Sequence, residues 1–278
     1  MRVAFLGGGN MARALIGGLL ERGIAPGALS AVEINPAARE TLSKKYGIHV
    51  STAPDAVMAE AGTWVLAVKP QDMRAALASV APRASGRLVM SVAAGLPLAL
   101  LERWLGGHRH IVRAMPNMPA LVGAGISGAC ALPEVTPEER GRAQTILGAV
   151  GEVIWLDAER LLDPVTAVSG SGPAYVFWFI EQLAHSGERL GLPADAARQL
   201  AMATVLGAAK LAAASDEPPA VLRERVTSRG GTTEAALQVF AEERLAERFA
   251  KAVEAASRRA TELGARLGDE TPGGAGGQ

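Results

Sequence analysis

A glycine-rich stretch near the start of the chain has the residue types and spacing that could hold a dinucleotide. Residues 7–12 read GGGNMA, in which Gly7, Gly9 and Ala12 fit the G-x-G-x-x-G/A pattern. The first glycine allows a tight turn, the second lets the backbone approach a pyrophosphate, and the small third residue lets a helix pack on the strand. The helix would then direct its free N–H groups at the phosphates.

An acidic residue lies where a second contact with a dinucleotide is expected. The second predicted strand ends near Glu33, and an acid there would bond the adenine ribose hydroxyls of NAD. Taken alone, Glu33 argues against the 2′-phosphate of NADPH. The alternative interpretation of Glu33 is a solvated carboxylate at the end of a strand, without a role in binding. Ile34 offers no cation, and Arg39 lies on the following helix. The sequence therefore leaves the choice between NADH and NADPH open.

Two further strand ends supply small or basic residues. One long strand ends at residues 67–70, AVKP, and the following strand ends at residues 93–95, AAG. In open α/β sheets, ligands lie at the carboxyl ends of the strands. Lys69 could therefore reach the cofactor, although a solvated lysine is equally common there, and Ala94 would let a flat ring or ribose come close. This pattern predicts a nicotinamide-dependent enzyme but not its substrate.

The elements that must position these residues divide the chain into two parts. Residues 1–160 alternate β-like runs, such as 2–7, 61–70, 87–95, 110–117 and 151–157, with helical patterns. This alternation predicts βαβ units and a mostly parallel sheet, an α/β dinucleotide-binding domain. Residues 161–268 lack strand signals and are predicted to be all-α, with one long helical region over 232–267. The segment 269–278 is predicted to be a disordered tail.

Composition restricts the possible partners. Lys plus Arg equals Asp plus Glu at 28 each, and no basic face stands out, which disfavours nucleic acid. The single cysteine, Cys130, precludes an internal disulfide and fits a reducing cytoplasm.

No apolar stretch reaches the roughly 20 residues of a membrane span, and the first residues do not resemble a signal peptide. His108 and His110 lack further ligands nearby, so a solvated loop is favoured over a metal site.

The helical part also predicts self-association. Residues 174–183, AYVFWFIEQL, and 199–214, QLAMATVLGAAKLAAA, are apolar on more than one face. Such helices need burial on several sides, which a small domain cannot provide alone. We therefore expect an obligate oligomer with the helical part at its interface.

Three later motifs, together with GGGNMA and AVKP, resemble those of pyrroline-5-carboxylate reductases. Residues 113–117 read RAMPN, residues 167–175 read AVSGSGPAY, and residues 226–233 read VTSRGGTT. The five motifs occur in the family's order over residues 1 to about 267, which is more specific than any single motif.

The resemblance implies the last step of proline biosynthesis. A hydride would pass from NADPH or NADH to the C=N carbon of 1-pyrroline-5-carboxylate, giving L-proline in the cytoplasm. It also implies an N-terminal Rossmann domain followed by an all-helical domain that dimerises by interleaving helices, with decamers as a further assembly. The substrate is expected between the nicotinamide and the loop that opens the long helix.

The resemblance also assigns individual residues. The pyrophosphate turn would be lined by Gly8, Asn10 and Met11. Further along the chain, the cofactor would be contacted by the run Ala67 to Pro70, chiefly through Val68 and Lys69, and by Ala94. Backbone N–H groups of Gly231, Thr232 and Thr233 would take the substrate carboxylate, and the Thr233 hydroxyl would bond the ring nitrogen. A position near the substrate is matched by Glu159.

The sequence departs from the family pattern in three places. Arg229 stands where the family usually has proline, which loosens the loop and adds a charge near an anionic substrate. Many relatives have arginine at the position of Ile34, so a preference for NADPH is in doubt. An asparagine often found before the AVKP strand is absent around residues 54–55.

Two other functions compete with the reductase. A β-hydroxyacid dehydrogenase-like enzyme would need a catalytic lysine on an early helix of its second domain, and residues 174–190 contain none. A dinucleotide-binding sensor without activity is the non-enzymatic alternative, and the intact GGTT loop argues against it.

Overall fold

The computed structural model describes residues 1–269, which divide into two compact units. The sheet unit contains residues 1–171 together with the described chain from residue 256 onward, and the helical unit contains residues 172–255. The α/β architecture followed by helices confirms the predicted fold class.

Parallel strands form most of the sheet. The strands are β1 Val3–Leu6, β2 Leu29–Val32, β3 His49–Ser51, β4 Thr63–Leu66, β5 Leu88–Ser91, β6 Ile111–Met115, β7 Gly125–Ala131 and β8 Gly151–Trp155. Within the described residues they pair in the order β3-β2-β1-β4-β5-β6-β7-β8. Only the β6–β7 pair among these is antiparallel. The sequence did not predict β3 or β7.

Helices cover both faces of this sheet. They are α1 Asn10–Glu21, α2 Pro36–Tyr46, α3 Ala56–Ala59, α4 Pro70–Ala78, α5 Leu98–Trp104, α6 Pro137–Gly148 and α7 Leu162–Val165. Alternate residues of β1 point to opposite faces, so Val3 and Phe5 join one buried cluster while Ala4 and Leu6 join the other. Strands buried on both faces read as continuous apolar runs, which is why β1 was recognisable from VAFL.

Five further helices follow in the described chain. They are α8 Gly172–Arg189, α9 Ala194–Ala213, α10 Pro219–Arg225, α11 Thr232–Glu242 and α12 Leu245–Asp269. Pro173, Pro193 and Pro219 lie at the starts of α8, α9 and α10, where proline is well tolerated. None of the helices described over residues 1–269 is long and apolar enough to cross a membrane.

The compact units divide the chain differently from the predicted boundary at residue 160. Residues 161–171 stay with the sheet because Leu162 is fully buried in one of its core clusters. The end of α12 returns to the same unit, where the Thr261 hydroxyl donates to Asp163 Oδ2 at 2.8 Å. Asp269 ends α12, and the rest of the predicted tail lies outside the described residues.

The long helical region predicted over 232–267 is helical but is divided into two helices, α11 and α12. The chain breaks between α11 and α12 at Arg244, whose φ of 54° lies in the left-handed region. Neither glycine nor proline marks this break in the sequence EERLAE, so the helical pattern seemed uninterrupted. An ion pair between Arg244 and Glu247, at 2.5 Å, joins the break to the first turn of α12.

Candidate active site

The glycine turn after β1 has the conformation that its spacing predicts. Gly7 has a φ of 98°, and a Cβ there would lie 2.7 Å from the carbonyl oxygen of Ala67. Only glycine fits at such a position. Ala12 is fully buried against the sheet, as the third position of the pattern requires.

Open space lies on the ligand side of the same turn. A Cβ added to Gly9 would meet no atom within 4 Å. Gly9 is the N-cap of α1 and has no side-chain cap, so the first N–H groups of the helix point outward without an intrahelical partner. Asn10 is exposed, and its Oδ1 accepts from Arg13 Nη2 at 2.5 Å, whereas Met11 packs against the core. This turn could therefore accept a pyrophosphate from solvent.

Glu33 contacts the glycine turn directly. Its Oε2 accepts from the N–H of Gly8 at 2.6 Å, and its Oε1 accepts from the N–H of Asn35 at 2.7 Å. Two backbone donors thus fix the carboxylate at the carboxyl end of β2. The predicted role of Gly8 changes accordingly, since its N–H is donated to Glu33 and not to open solvent.

Glu33 has one apolar neighbour, Ile34, and one basic neighbour, Arg39. Ile34 is 81% exposed. Arg39 reaches back from α2, and its Nη1 donates to the carbonyl oxygens of Ile34 at 2.7 Å and of Glu33 at 3.2 Å. A cation therefore lies at this strand end although it comes from the helix.

The remaining predicted cofactor residues lie at neighbouring carboxyl ends. Because β1 pairs with both β2 and β4, residues after these strands share one edge of the sheet. Lys69 is the exposed N-cap of α4 and Pro70 is its first residue, while Val68 lies against Gly7. Ala94 is exposed in the segment between β5 and α5. The fold thus brings together the residues chosen for the cofactor from the sequence.

The loop before α11 is stabilised by its own hydrogen bonds. Gly230 has a φ of 70°, and its N–H donates to Glu234 Oε2 at 2.6 Å. The N–H of Gly231 donates to the carbonyl oxygen of Ser228 at 3.0 Å, and a Cβ on Gly231 would overlap the Ser228 hydroxyl. The N–H groups of Thr232 and Thr233 lie in the first turn of α11 and have no intrahelical partner.

Glu159 has partners within the sheet unit. Its Oε1 accepts from Arg113 Nη1 at 2.7 Å and from the N–H of Leu98 at 2.7 Å. The contact between Glu159 and substrate, which the family resemblance implied, remains a prediction. Arg113 was not predicted as a partner of Glu159, although it lies in the RAMPN motif and a buried arginine on a strand requires a countercharge.

A hydrogen bond connects two of the family motifs. Asn117 of RAMPN donates from Nδ2 to the hydroxyl of Ser169 in SGSGPA at 3.2 Å, and its Oδ1 accepts from the N–H of Ile126 at 3.0 Å. Gly170 leaves room for Met115, whose Cε would lie 2.6 Å from a Cβ there. These contacts explain why both motifs need small and amide residues. No metal-binding cluster of His, Cys, Asp or Glu occurs in the described chain.

The sheet order, the glycine turn and the acid after β2 define a dinucleotide-binding protein of the Rossmann class. Family comparison agrees, because residues 2–95 match the model "NADP oxidoreductase coenzyme F420-dependent" and residues 159–263 match "Pyrroline-5-carboxylate reductase dimerisation". A pyrroline-5-carboxylate reductase of Pseudomonas aeruginosa is 43% identical over 96% of this chain and 98% of its own length. The chain therefore belongs to the pyrroline-5-carboxylate reductase family.

Solved structures show the same similarity over both units. A pyrroline-5-carboxylate reductase from Coxiella burnetii has a TM-score of 0.89 and 39% identity, covering 94% of this chain and 98% of that chain. The Plasmodium falciparum pyrroline carboxylate reductase with NADP bound has a TM-score of 0.84 and 29% identity, covering 95% and 98%.

Proposed function

We propose that this protein reduces 1-pyrroline-5-carboxylate to L-proline with NADPH or NADH. The observation that carries the proposal is the 43% identity to a reductase of that name over 96% of the chain. The glycine turn and the GGTT loop are both intact within that span. Both NADPH and NADH remain candidates, because Glu33 and Arg39 supply opposite charges near the expected ribose.

The residues of the sheet unit fit a dinucleotide. Space is open at Gly9, and the N-terminus of α1 supplies free N–H groups and a positive dipole end for the pyrophosphate. Glu33 is fixed toward the glycine turn, and Lys69 and Ala94 are exposed at the neighbouring strand ends. When bound, the nicotinamide supplies the hydride. The protein binds and orients it through these groups.

The first turn of α11 fits a small carboxylate. The N–H groups of Thr232 and Thr233 can neutralise the anion without a dedicated arginine, because the helix dipole acts in the same direction. Gly231 would contribute the tight turn, since its own N–H is donated to Ser228. The Thr233 hydroxyl can donate to or accept from the ring nitrogen. An aliphatic hydroxyl is a poor acid near neutral pH, so we assign Thr233 an orienting role, with water delivering the proton.

Arg229 is exposed beside this loop, and the GGTT turn forms without the proline usual in the family. Gly230 and Gly231 already set the turn through their hydrogen bonds to Glu234 and Ser228. Arg229 would therefore act on an anionic substrate through its charge and not through the shape of the turn.

Assembly is proposed to use the helical unit. The match of residues 159–263 to a dimerisation model supports self-association, and the exposed apolar side chains of α8 and α9 support the same surface. We propose a homodimer through this unit, a decamer as a higher assembly, and a cytoplasmic location.

The test is oxidation of NADPH and NADH, followed by absorbance, with 1-pyrroline-5-carboxylate as substrate. We expect turnover with at least one cofactor and proline as the product. Absence of turnover with both would refute the reductase and leave the β-hydroxyacid dehydrogenase-like enzyme and the dinucleotide-binding sensor. The ratio of kcat/KM values for the two cofactors decides whether Glu33 or Arg39 dominates at the ribose.

A further inference from the structure

The segment between β5 and α5, residues 92–97, carries the exposed Ala94 and is anchored at both ends. The N–H of Val92 donates to the carbonyl oxygen of Leu66 at 3.1 Å, which continues the sheet ladder. Leu96 is fully buried in the core. We call residues 92–97 the Ala94 loop. Between these anchors the conformation of the loop depends on contacts with other parts of the sheet unit.

A buried arginine, Arg113, is connected through Glu159 to the end of the Ala94 loop. The Arg113 side chain is only 8% exposed and pairs with Glu159 at 2.7 Å and more distantly with Asp163 at 3.9 Å. The same Glu159 oxygen accepts from the N–H of Leu98, immediately after the loop. A buried guanidinium keeps its carboxylates in place, because separating the charges would leave one of them unpaired in a poorly solvated site. Arg113 thereby fixes where the loop ends.

The last turns of α12 contact the other side of the loop. The Thr261 hydroxyl donates to Asp163 Oδ2 at 2.8 Å, so α12 is connected to the carboxylate that also faces Arg113. One turn later Gly264 approaches Gly95, which has a φ of 74°. A Cβ on Gly264 would lie 3.2 Å from the Gly95 carbonyl oxygen. The absence of a side chain at Gly264 therefore allows α12 to lie against the loop backbone.

We propose that Thr261 and Gly264 are positioning residues for the cofactor. Together with Arg113, they set the Ala94 loop in the conformation that presents Ala94 to the dinucleotide. They act through the loop and do not touch the reacting atoms. This inference rests on the proposed cofactor site, and it assigns a role in dinucleotide affinity to the C-terminal segment of the chain.

The experiment measures the Kd of NADP⁺ and NAD⁺ by calorimetric titration of the full-length protein, with kcat and KM recorded alongside. The test variants are Gly264→Ala and Thr261→Val. Gly141→Ala and Thr145→Val are matched controls on α6, because a Cβ on Gly141 meets nothing within 4 Å and the Thr145 hydroxyl bonds only its own helix at Gly141 O.

We expect both test variants to raise the dinucleotide Kd and the cofactor KM by roughly three- to tenfold, the loss for one perturbed contact or hydrogen bond. Turnover at saturating cofactor should change less than twofold, and Thr261→Ser should restore the wild-type Kd. Alanine stabilises a helix relative to glycine, which offsets the closer contact with Gly95. Gly264→Ala should therefore bind the dinucleotide more weakly without melting below the wild type. A merely structural role for Gly264 would not separate affinity from stability in this way.

Unchanged Kd values in both test variants, with wild-type binding intact, would overturn the inference alone. Equal losses in the test and control variants would also overturn it. If wild-type protein binds a dinucleotide but does not reduce pyrroline-5-carboxylate, the proposed function fails while the Kd comparison still decides the role of Thr261 and Gly264. Failure of wild-type binding would overturn both.

Discussion

Three consecutive glycines follow β1, and their surroundings differ. Gly7 needs its left-handed φ of 98°. Gly8 needs the absence of a side chain, because a Cβ would lie 2.5 Å from the Leu42 side chain. Gly9 has neither constraint, since its φ is −68° and the space around it is open. No contact within the described residues requires Gly9 to lack a side chain, which supports the proposal that a ligand approaches the backbone there.

This difference predicts that the same substitution costs much more stability at Gly7 than at Gly9. Gly7→Ala should lower the free energy of unfolding by about 2 kcal/mol or more, because it combines backbone strain with an overlap at Ala67. Gly9→Ala should cost less than about 1 kcal/mol, since alanine adopts its backbone conformation and loses only N-cap preference. Affinity for NADP⁺ should nevertheless fall in Gly9→Ala. Urea unfolding and dinucleotide titration measure the two quantities; a Gly9→Ala protein that binds normally would contradict the ligand role of this position.

Thr233 is predicted to act on the substrate alone. Thr233→Ala removes the hydroxyl proposed to orient the ring nitrogen, so kcat/KM for pyrroline-5-carboxylate should fall by roughly ten- to a hundredfold. The Kd of NADPH should stay near that of the wild type. Thr233→Ser is the control because it retains the hydroxyl and should retain most of the activity. Steady-state kinetics checks the result, and wild-type turnover in Thr233→Ala would exclude the role.

At the scale of elements, the break between α11 and α12 places the backbone of one residue, Arg244, in a strained conformation. A non-glycine residue with the left-handed φ of Arg244 costs about 1–2 kcal/mol. Arg244→Gly should relieve this cost, and it loses only an exposed ion pair with Glu247, worth about 1 kcal/mol at most. We expect a slightly higher thermal midpoint for Arg244→Gly and a lower one for Arg244→Ala, which loses the ion pair and keeps the strain. Calorimetry of both variants tests the difference, and equal midpoints would show that the strain is absent.

The elements recognised from sequence are those with strong periodicity or a strong end signal. β1 is a continuous apolar run and β4 is apolar except for Thr63, while Pro36 and Pro137 mark the starts of α2 and α6. β7 was not predicted because GISGACA consists mostly of glycine and other small residues and has weak β propensity. Its pairing with β6 and β8 stabilises it, and a single segment does not reveal such long-range pairing.

The candidate site was predictable where one local pattern determines it. The glycine turn and the GGTT loop are contiguous in sequence, so their conformations follow from the residues themselves. The partners of Glu33 and Glu159 were not predictable, because the Gly8–Glu33 bond spans 25 residues and the Arg113–Glu159 bond spans 46. Sheet topology decides which strand ends meet. The sequence of a motif therefore suggests that its carboxylate binds a ligand, but it does not reveal the donor within the protein. That donor is the Gly8 N–H for Glu33 and Arg113 for Glu159.

At the scale of the whole molecule, the helical unit leaves large apolar side chains in water. On α8, Phe177 is 66% exposed, Trp178 57% and Phe179 48%, and Leu206 and Leu211 of α9 are 57% and 58% exposed. Several large exposed apolar side chains on neighbouring helices are typical of an interface. The dimerisation model that matches residues 159–263 covers these helices. The stability of the helical unit should therefore depend on protein concentration, as expected for a unit completed by its partner.

Trp178 provides the test of this surface. Trp178→Glu places a charge where a second copy is expected to pack, and it should raise the dimer dissociation constant by roughly thirtyfold or more, as for a central aromatic residue of an interface. Ile34→Glu is the matched control, because Ile34 is 81% exposed in the sheet unit and also exchanges an apolar side chain for a charge. Light scattering after size exclusion, over a range of concentrations, should show dissociation of Trp178→Glu and a wild-type assembly for Ile34→Glu. Dissociation of both variants would indicate a general effect of added charge, and an intact Trp178→Glu assembly would move the interface away from α8.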